Sequence, residues 1–140
     1  MTARSTATSA AASLGIVPFN AAEAPAPEGG YAQAVQIDSV RQLLFVSGQI
    51  PVTADGQVPE RFEDQAALVW QHVLAQLRAA GLGAEHLVKV TTFLASREHA
   101  DANGAARRQA LGAHQPALTV IITGIWDPRW LLEIEAVAAA

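Results

Sequence analysis

Two carboxylates near the carboxyl end of the chain have the spacing best suited to chemistry. Glu133 and Glu135 stand in the run LLEIEAVA, where a period of two places both side chains on one face of a strand. Such a carboxylate can act as a general base or orient a water molecule if the strand borders a cleft. An ordinary amphipathic strand with one solvated face fits the same pattern. Arg129 would share this face if the strand extended back through Pro128, and a surface ion pair is then the simpler interpretation.

The other reactive residue types form no recognisable catalytic or metal-binding motif. The chain contains no cysteine, which excludes a disulfide framework, a zinc–thiolate site and a cysteine nucleophile. Ser47 is outside a G-x-S-x-G turn, so a serine triad has little support. The histidines lack the i, i+4 spacing of a metal pair, and we interpret all of them as surface or rim imidazoles. They are His72, His86, His99 and His114.

The composition of the 140-residue chain excludes several kinds of partner. The length suits one domain, and no apolar run reaches the roughly 18 residues that a membrane span requires. A net charge of −4 and a pI of about 5.4 argue against binding to nucleic-acid phosphates, which needs clustered Lys and Arg. Only 16% of the residues are charged and 51% are hydrophobic, which suggests a surface for self-association.

The first twenty residues read as a tail. Residues 1–13 are mainly Ala, Ser and Thr, with neither the apolar core of a secretory signal nor the several arginines of a transit peptide. We expect residues 1–20 to be disordered or extended and residues 21–140 to form a single domain. The Pro/Gly-rich stretch from Ala21 to Gly30 would lead into a globular part that begins near Tyr31. We expect a cytoplasmic protein.

Periodicity and turn residues place the candidate residues on a β-β-α-β-α-β-β framework. Apolar residues at i, i+3, i+4 and i+7 predict a helix over 62–80, with Gly81 as its C-cap. A second helix over 97–111 has an uncertain start because Asn103-Gly104 interrupts its helical composition. Strands are predicted over 31–37, 43–47, 87–94, 116–122 and 132–137. This order predicts an α/β (α+β) fold with two helices on one face of one mixed sheet.

Four sequence blocks have a distinctive order and spacing. They are GYAQA at 30–34, LFVSGQIP at 44–51, LVKVTTFL at 87–94 and LEIEAV at 132–137. Together they resemble the YjgF/RidA family, the reactive intermediate deaminases, over roughly residues 20–138. The resemblance implies a chorismate-mutase-like fold and a homotrimer whose sheets form a central barrel. It also implies ligand sites in the clefts between neighbouring subunits.

The resemblance further implies a reaction and the residues that carry it. Active members hydrolyse enamines and imines to 2-keto acids and ammonia, using no metal and no organic cofactor. Matched by motif, Glu133 would position the attacking water, and Tyr31, Ser47 and Asn103 would contact the substrate. An imine carbon is already electrophilic, so a positioned water and a proton relay suffice. The expected partner is a small imine, enamine or carboxylate-like metabolite.

One position departs from the deaminating members of the family. They carry an arginine in a P-A-R-S/T block, and its planar guanidinium binds the substrate carboxylate bidentately. Here the block reads PALT, so Leu118 offers only an apolar wall and an interaction of about 1.5–3 kcal/mol is lost. Arg129, or an arginine of a neighbouring subunit, is the expected replacement anchor. Gly30 is a second departure, because the deaminases usually have proline at that position. Both features are similar to those of the family's arginine-lacking subgroups.

Three functions stay open at the level of sequence. The first is a hydrolase acting on an enamine or imine whose anchoring group is not a simple carboxylate. The second is a non-catalytic trimer that binds a metabolite or a partner protein in the same cleft, which the missing arginine favours. The third is ribonuclease activity, which the acidic pI and the lack of a basic patch disfavour.

Overall fold

A computed structural model describes residues 15–140, which form a four-stranded sheet, a two-stranded hairpin and two helices. The strands are β1 (Gly15–Phe19), β2 (Ala34–Asp38), β3 (Leu43–Gln49), β4 (Leu87–Leu94), β5 (Ala117–Ile122) and β6 (Leu132–Ala139). The helices are α1 (Phe62–Ala79) and α2 (Ala100–Leu111). Short 3₁₀ turns, Ala84–His86 and Arg97–His99, precede β4 and α2. Most of the predicted tail, residues 1–14, lies outside the described residues.

The amino-terminal strand β1 was not predicted, and it changes the expected element order. It pairs antiparallel with β2, with Ile16 opposite Ile37. The Asn20 side chain closes this hairpin because its Oδ1 accepts a hydrogen bond from Gln33 N at 3.0 Å. A five-residue run next to an Ala/Ser-rich segment carries too little periodicity to be recognised, and the partner strand supplies its backbone hydrogen bonds. Residues 15–19 of the predicted tail therefore form a strand in the structure.

The central sheet has the strand order β3-β6-β4-β5. β4 and β5 run parallel and are joined through α2, whereas β6 pairs antiparallel with both β3 and β4. This confirms a mixed sheet. The expectation of one sheet was wrong in one respect, because β1 and β2 form a separate two-stranded sheet, and an isolated bridge from Ala32 to Ala117 links the segment before β2 to β5.

Both helices pack on the same face of the central sheet, as predicted. Along β6, Leu132, Ile134 and Ala136 are buried among the core residues, while Glu133 and Glu135 occupy the opposite face. The predicted alternation of the last strand is thus confirmed. Other buried side chains of this core are Val46, Val69, Trp70, Val73, Leu77, Val90 and Leu94.

The ends of the helices follow from local backbone chemistry. Gly81 has a φ of +76°, and the N–H groups of Gly81 and Leu82 bond to the carbonyls of Arg78 and Leu77 at 3.0 and 2.8 Å. This pair of bonds is a Schellman motif, so Gly81 terminates α1 as predicted. α2 begins at Ala100, and Asn103-Gly104 does not interrupt it because both residues are buried on its packed face.

The sheet face opposite the helices is uncovered in the single chain. Phe45 on β3 is 73% exposed, and Leu43 and Ile121 on the two edge strands are also exposed. Apolar side chains grouped on one sheet face mark an interaction surface. Within the described part of the chain, neither helix combines the length and apolar character needed to cross a bilayer.

Candidate functional site

A β-bulge in β3 shapes the surroundings of Glu133. Val46 pairs with Ala136 and Gln49 pairs with Ile134, so Ser47 and Gly48 together face the single residue Glu135. Such a bulge bends a strand and redirects its side chains, and bulges are frequent beside active sites. The SGQ segment therefore meets the two glutamates of β6 at an irregular point of the sheet.

Gly48 allows the Glu133 carboxylate to lie against the backbone of the bulge. A Cβ atom at position 48 would stand 2.7 Å from Cδ of Glu133 and would overlap Oε1. Any residue other than glycine would force this carboxylate to move. The glycine of the SGQIP block is thus explained by its contact with Glu133.

The environment of Glu133 favours its neutral form. Partial burial raises the pKa of its carboxyl group, and the nearby charge of Glu135 raises it further. Within residues 15–140, the Glu133 carboxylate has neither a hydrogen bond nor an ion pair that would offset these effects. A carboxyl group with a raised pKa is a better proton acceptor near neutral pH, which suits a general base.

Glu133 opens into a small cavity on the uncovered sheet face, which we name the Glu133 cavity. Its volume is about 280 Å³, and its wall includes the loop between β5 and β6, where Trp126 is 93% exposed. The lining residues are Gly48, Phe93, Thr123, Gly124, Ile125, Trp126, Glu133 and Glu135. A second depression lies beside the Glu133 cavity, and Ser47 and Lys89 line it. Glu135 lines both the depression and the Glu133 cavity. The structure thus brings Ser47 and Glu133 to adjacent places on one face.

A buried glutamine of α1 fixes the loop that carries Trp126. The Gln65 Nε2 donates to the carbonyls of Pro59 and Arg129 at 2.7 and 2.9 Å, and its Oε1 accepts from Leu131 N at 2.8 Å. Sequence reasoning missed this residue. Its spacing of three from Phe62 and four from Val69 was the available signal, because that spacing places Gln65 on the buried face of α1.

Arg129 does not lie on the face of Glu133. β6 begins only at Leu132, and Arg129 stands in the preceding turn, where its Nη2 is 2.7 Å from Oδ2 of Asp127. This pairing lowers the pKa of Asp127 and raises that of Arg129. The condition for an ion pair between Arg129 and Glu133 is therefore not met, because β6 begins only after the turn between Asp127 and Trp130.

Asn103 lies on the helix side of the sheet in a second cavity, which we name the Arg107 cavity. Its volume is about 480 Å³. It is lined by Glu28, Gly29, Leu94, Ala100, Asp101, Asn103, Gly104, Arg107, Arg108 and Val120. Tyr31 stands close enough to Arg107 to influence the pKa of that guanidinium. The structure thus places Asn103 and Arg107 in one cavity, and Tyr31 is not among the residues that line it.

Leu118 faces the helix side of the sheet as well. It pairs with Val90 of β4 and packs against the hydrophobic core, and it lines neither cavity. Within one chain, the six residues that the sequence indicated therefore divide into separate places. Glu133 and Ser47 lie on the uncovered face, Tyr31 and Asn103 lie near Arg107, and Leu118 and Arg129 stand apart from both cavities.

The four histidines make structural contacts. Three imidazoles hydrogen-bond to the backbone, and the fourth stacks on Phe62 with ring centroids 4.5 Å apart. The bonded rings are His72, His86 and His114, and the stacked ring is His99. Over residues 15–140, no three His, Asp or Glu side chains are grouped so that they could hold a metal ion.

Comparison with known proteins identifies the family. A family model described as Endoribonuclease L-PSP matches residues 21–140. The chain is 33% identical over 119 residues to the putative reactive intermediate deaminase TdcF of Escherichia coli K12, covering 82% of this chain and 90% of TdcF. The chain belongs to the YjgF/RidA family.

Other YjgF/RidA proteins agree with this assignment. Protein HMF1 of Saccharomyces cerevisiae is 30% identical over 125 residues, covering 89% of this chain and 95% of HMF1. The crystal structure of E. coli TdcF with bound serine superposes with a TM-score of 0.67 and 29% identity, covering 89% of this chain and 98% of TdcF. The predicted YjgF/RidA fold is confirmed.

Proposed function

We propose that this YjgF/RidA protein hydrolyses a small imine or enamine metabolite, with Glu133 directing the attacking water. The observation that carries the proposal is the Glu133 carboxylate itself. It lies against Gly48 in a cavity, it has no counter-ion among the described residues, and its pKa is raised. A relative named as a reactive intermediate deaminase and a structure of that relative with bound serine support a small polar substrate.

The reaction needs only water and proton transfers. Glu133 accepts a proton as the water oxygen forms a bond to the imine carbon, and the C=N electron pair moves to nitrogen, which takes up a proton. The resulting carbinolamine transfers its hydroxyl proton to nitrogen, the C–N bond breaks, and a carbonyl compound and ammonia leave. An enamine first takes a proton on its β-carbon to become the imine. Holding water and imine together lowers the barrier by making the attack effectively unimolecular.

We also propose that the working form is a homotrimer with its substrate sites between subunits. The exposed apolar side chains on the uncovered face, with Phe45 at 73%, supply an apolar surface for a neighbouring chain. The separation of Glu133 and Ser47 from Tyr31 and Asn103 within one chain supports a site completed by a second chain. In such an assembly, the Glu133 cavity of one subunit would face Tyr31 and Asn103 of the next.

Hydrolysis of imines generated in solution tests the proposed function. Purified protein is added to 2-iminopropanoate and 2-aminoacrylate, and the release of ammonia and 2-keto acid is followed. We expect acceleration over buffer that Glu133→Gln abolishes and Glu60→Gln, on an exposed turn, leaves intact. No acceleration by the wild-type protein would overturn the proposal, and an unaffected rate in Glu133→Gln would overturn the role of Glu133.

A non-catalytic binding trimer is the second candidate, and one observation favours it. Leu118 packs against the core, so the usual position of the carboxylate-binding arginine offers no donor. A binder would be stabilised against heat by a metabolite that it leaves chemically unchanged. Stabilisation by 2-oxobutanoate or serine without any acceleration of imine hydrolysis would therefore support this candidate.

A further inference from the structure

Arg107 is the one charged side chain that is buried among residues 15–140. It is 7% exposed, and its Nη2 donates to the carbonyl oxygen of Gly29 at 2.7 Å. Its Nε is fully enclosed and has no hydrogen-bond partner. A buried charge without an anionic partner is costly, so a position of this kind calls for an explanation.

Asn103 lies one helical turn before Arg107 and, like it, is buried with a polar atom that has no hydrogen-bond partner. It is 3% exposed, and its Oδ1 is buried without a partner. Residues four apart on a helix lie on one face, and both side chains line the Arg107 cavity. The carboxylates at its rim, Glu28 and Asp101, are exposed and form no ion pair with Arg107 within the described residues. An unpartnered donor of Arg107 and an unpartnered acceptor of Asn103 therefore belong to residues that line one cavity, and only the arginine carries a charge that calls for an anion.

Leu118, at the position of the family's usual arginine, does not line this cavity but lies on the same sheet face as one residue that does. Val120 lines the cavity and lies two residues beyond Leu118 on β5, so both side chains point to the same sheet face. Gly29 and Gly30 form a turn with φ angles of +86° and +77°. The carbonyl oxygen of Gly29 in this turn accepts the hydrogen bond from Arg107. Gly30 and Leu118, where the chain departs from the deaminating members, thus lie in two of the segments that line the cavity, the turn at Gly29 and β5.

We propose that Arg107 and Asn103 form an anion site that binds the carboxylate of the substrate and replaces the arginine absent at position 118. The inference rests on the proposed function, since it names the group by which that substrate is held. The guanidinium of Arg107 has five N–H donors, and among the described residues only its Nη2 makes a hydrogen bond, to the Gly29 carbonyl, so donors of its two Nη groups remain for a carboxylate. The Asn103 amide can donate a further hydrogen bond to the same ligand.

The electrostatics of the cavity agree with this assignment. Burial and the adjacent Arg108 lower the pKa of Arg107, and Tyr31 acts in the opposite direction. The guanidinium nevertheless stays protonated, as arginine does throughout proteins. A bound carboxylate would therefore compensate a positive charge that the folded chain leaves without a counter-ion.

Binding of a stable carboxylate tests the site without requiring turnover. The probe is 2-oxobutanoate, titrated into the wild-type protein by calorimetry, with the uncharged 2-oxobutanamide as the comparison ligand. We expect the carboxylate to bind and the amide to bind at least tenfold more weakly. Arg107→Gln should weaken carboxylate binding about 10- to 100-fold, as expected for a hydrogen-bonded charge pair. Arg97→Gln, which removes an exposed arginine outside the cavity, should not change it.

Asn103→Asp gives an independent test that keeps the size of the side chain. The new negative charge should pair with Arg107 and weaken 2-oxobutanoate binding about as much as Arg107→Gln does. If Arg107→Gln fails to fold, Asn103→Asp alone tests the anion site. Unchanged binding in either folded variant, or equal affinity for the acid and the amide, would overturn the proposal. Arginine-dependent binding without imine hydrolysis would leave the anion site standing and remove the proposed function instead.

Discussion

The carboxylate of Glu133 occupies the space that a side chain at position 48 would fill. A Cβ on Gly48 would come within 2.7 Å of Glu133 Cδ, because the bulge at Ser47-Gly48 turns the backbone of β3 toward β6. The requirement for glycine here is a matter of close approach, since Gly48 is not among the glycines with positive φ. The position of this carboxylate therefore depends on a residue that carries no functional group.

Gly48→Ala should displace the Glu133 carboxylate while leaving the fold in place. We expect the imine hydrolysis rate to fall about 100-fold, because a misplacement of about 1 Å has that effect on catalysis. Steady-state kinetics with 2-iminopropanoate measure the change, and circular dichroism checks the fold. Gly15→Ala is the matched control, since a Cβ there would meet only ordinary contacts of 3.7 Å or more. Full activity of Gly48→Ala would contradict the assigned role of the contact.

Gln65→Leu should destabilise the protein through the loop before β6. The substitution leaves the carbonyls of Pro59 and Arg129 and the N–H of Leu131 without their buried partner. Each unsatisfied buried group costs about 1–3 kcal/mol, so with three such groups we expect the free energy of unfolding to fall by at least about 3 kcal/mol. Urea denaturation measures the loss. Gln71→Leu, at an exposed position of the same helix, should change it far less, and equal effects would contradict this explanation.

Glu133→Gln should change the pH dependence of stability in a defined direction. The folded protein holds the Glu133 proton more tightly than the unfolded chain does, because burial and Glu135 raise its pKa. The stabilisation that comes from the tightly held Glu133 proton is therefore lost as pH rises from the unfolded pKa of about 4.3 through the raised folded pKa. The variant should gain stability relative to wild type across this range and keep a constant advantage above it. Thermal unfolding between pH 4 and 8 measures this, and an advantage that shrinks with rising pH would contradict it.

Phe45→Glu should disrupt the proposed homotrimer. The substitution places a charge on the uncovered sheet face, where Phe45 is the most exposed of the sheet's large apolar side chains at 73%. Sedimentation velocity should show three chains for the wild-type protein and single chains for the variant. Ala67→Glu, on an exposed position of α1, should leave the trimer intact. A wild-type protein that sediments as a single chain would contradict the proposed assembly.

The sequence predicted much of the framework because its signals were local. The i, i+3, i+4 spacing in α1, the positive-φ glycine at its end and the alternation along β6 each depend on residues a few positions apart. Those patterns were enough to place Glu133 and Glu135 on the face opposite the core. They could not reveal β1, whose hydrogen bonds depend on pairing with β2 some twenty residues later.

The sequence by itself determined the family, the element types between residues 34 and 139 and the identity of the Glu133 carboxylate as a candidate. Tertiary structure decided which groups meet: Gly48 with Glu133 across the bulge, Gln65 with the loop before β6, and Arg107 with Asn103 beside the edge of the sheet. It also separated Arg129 from Glu133, since the turn at Asp127 binds that guanidinium first. Such contacts join residues far apart in the chain, so their formation depends on how the helices and strands pack and cannot be derived from spacing alone.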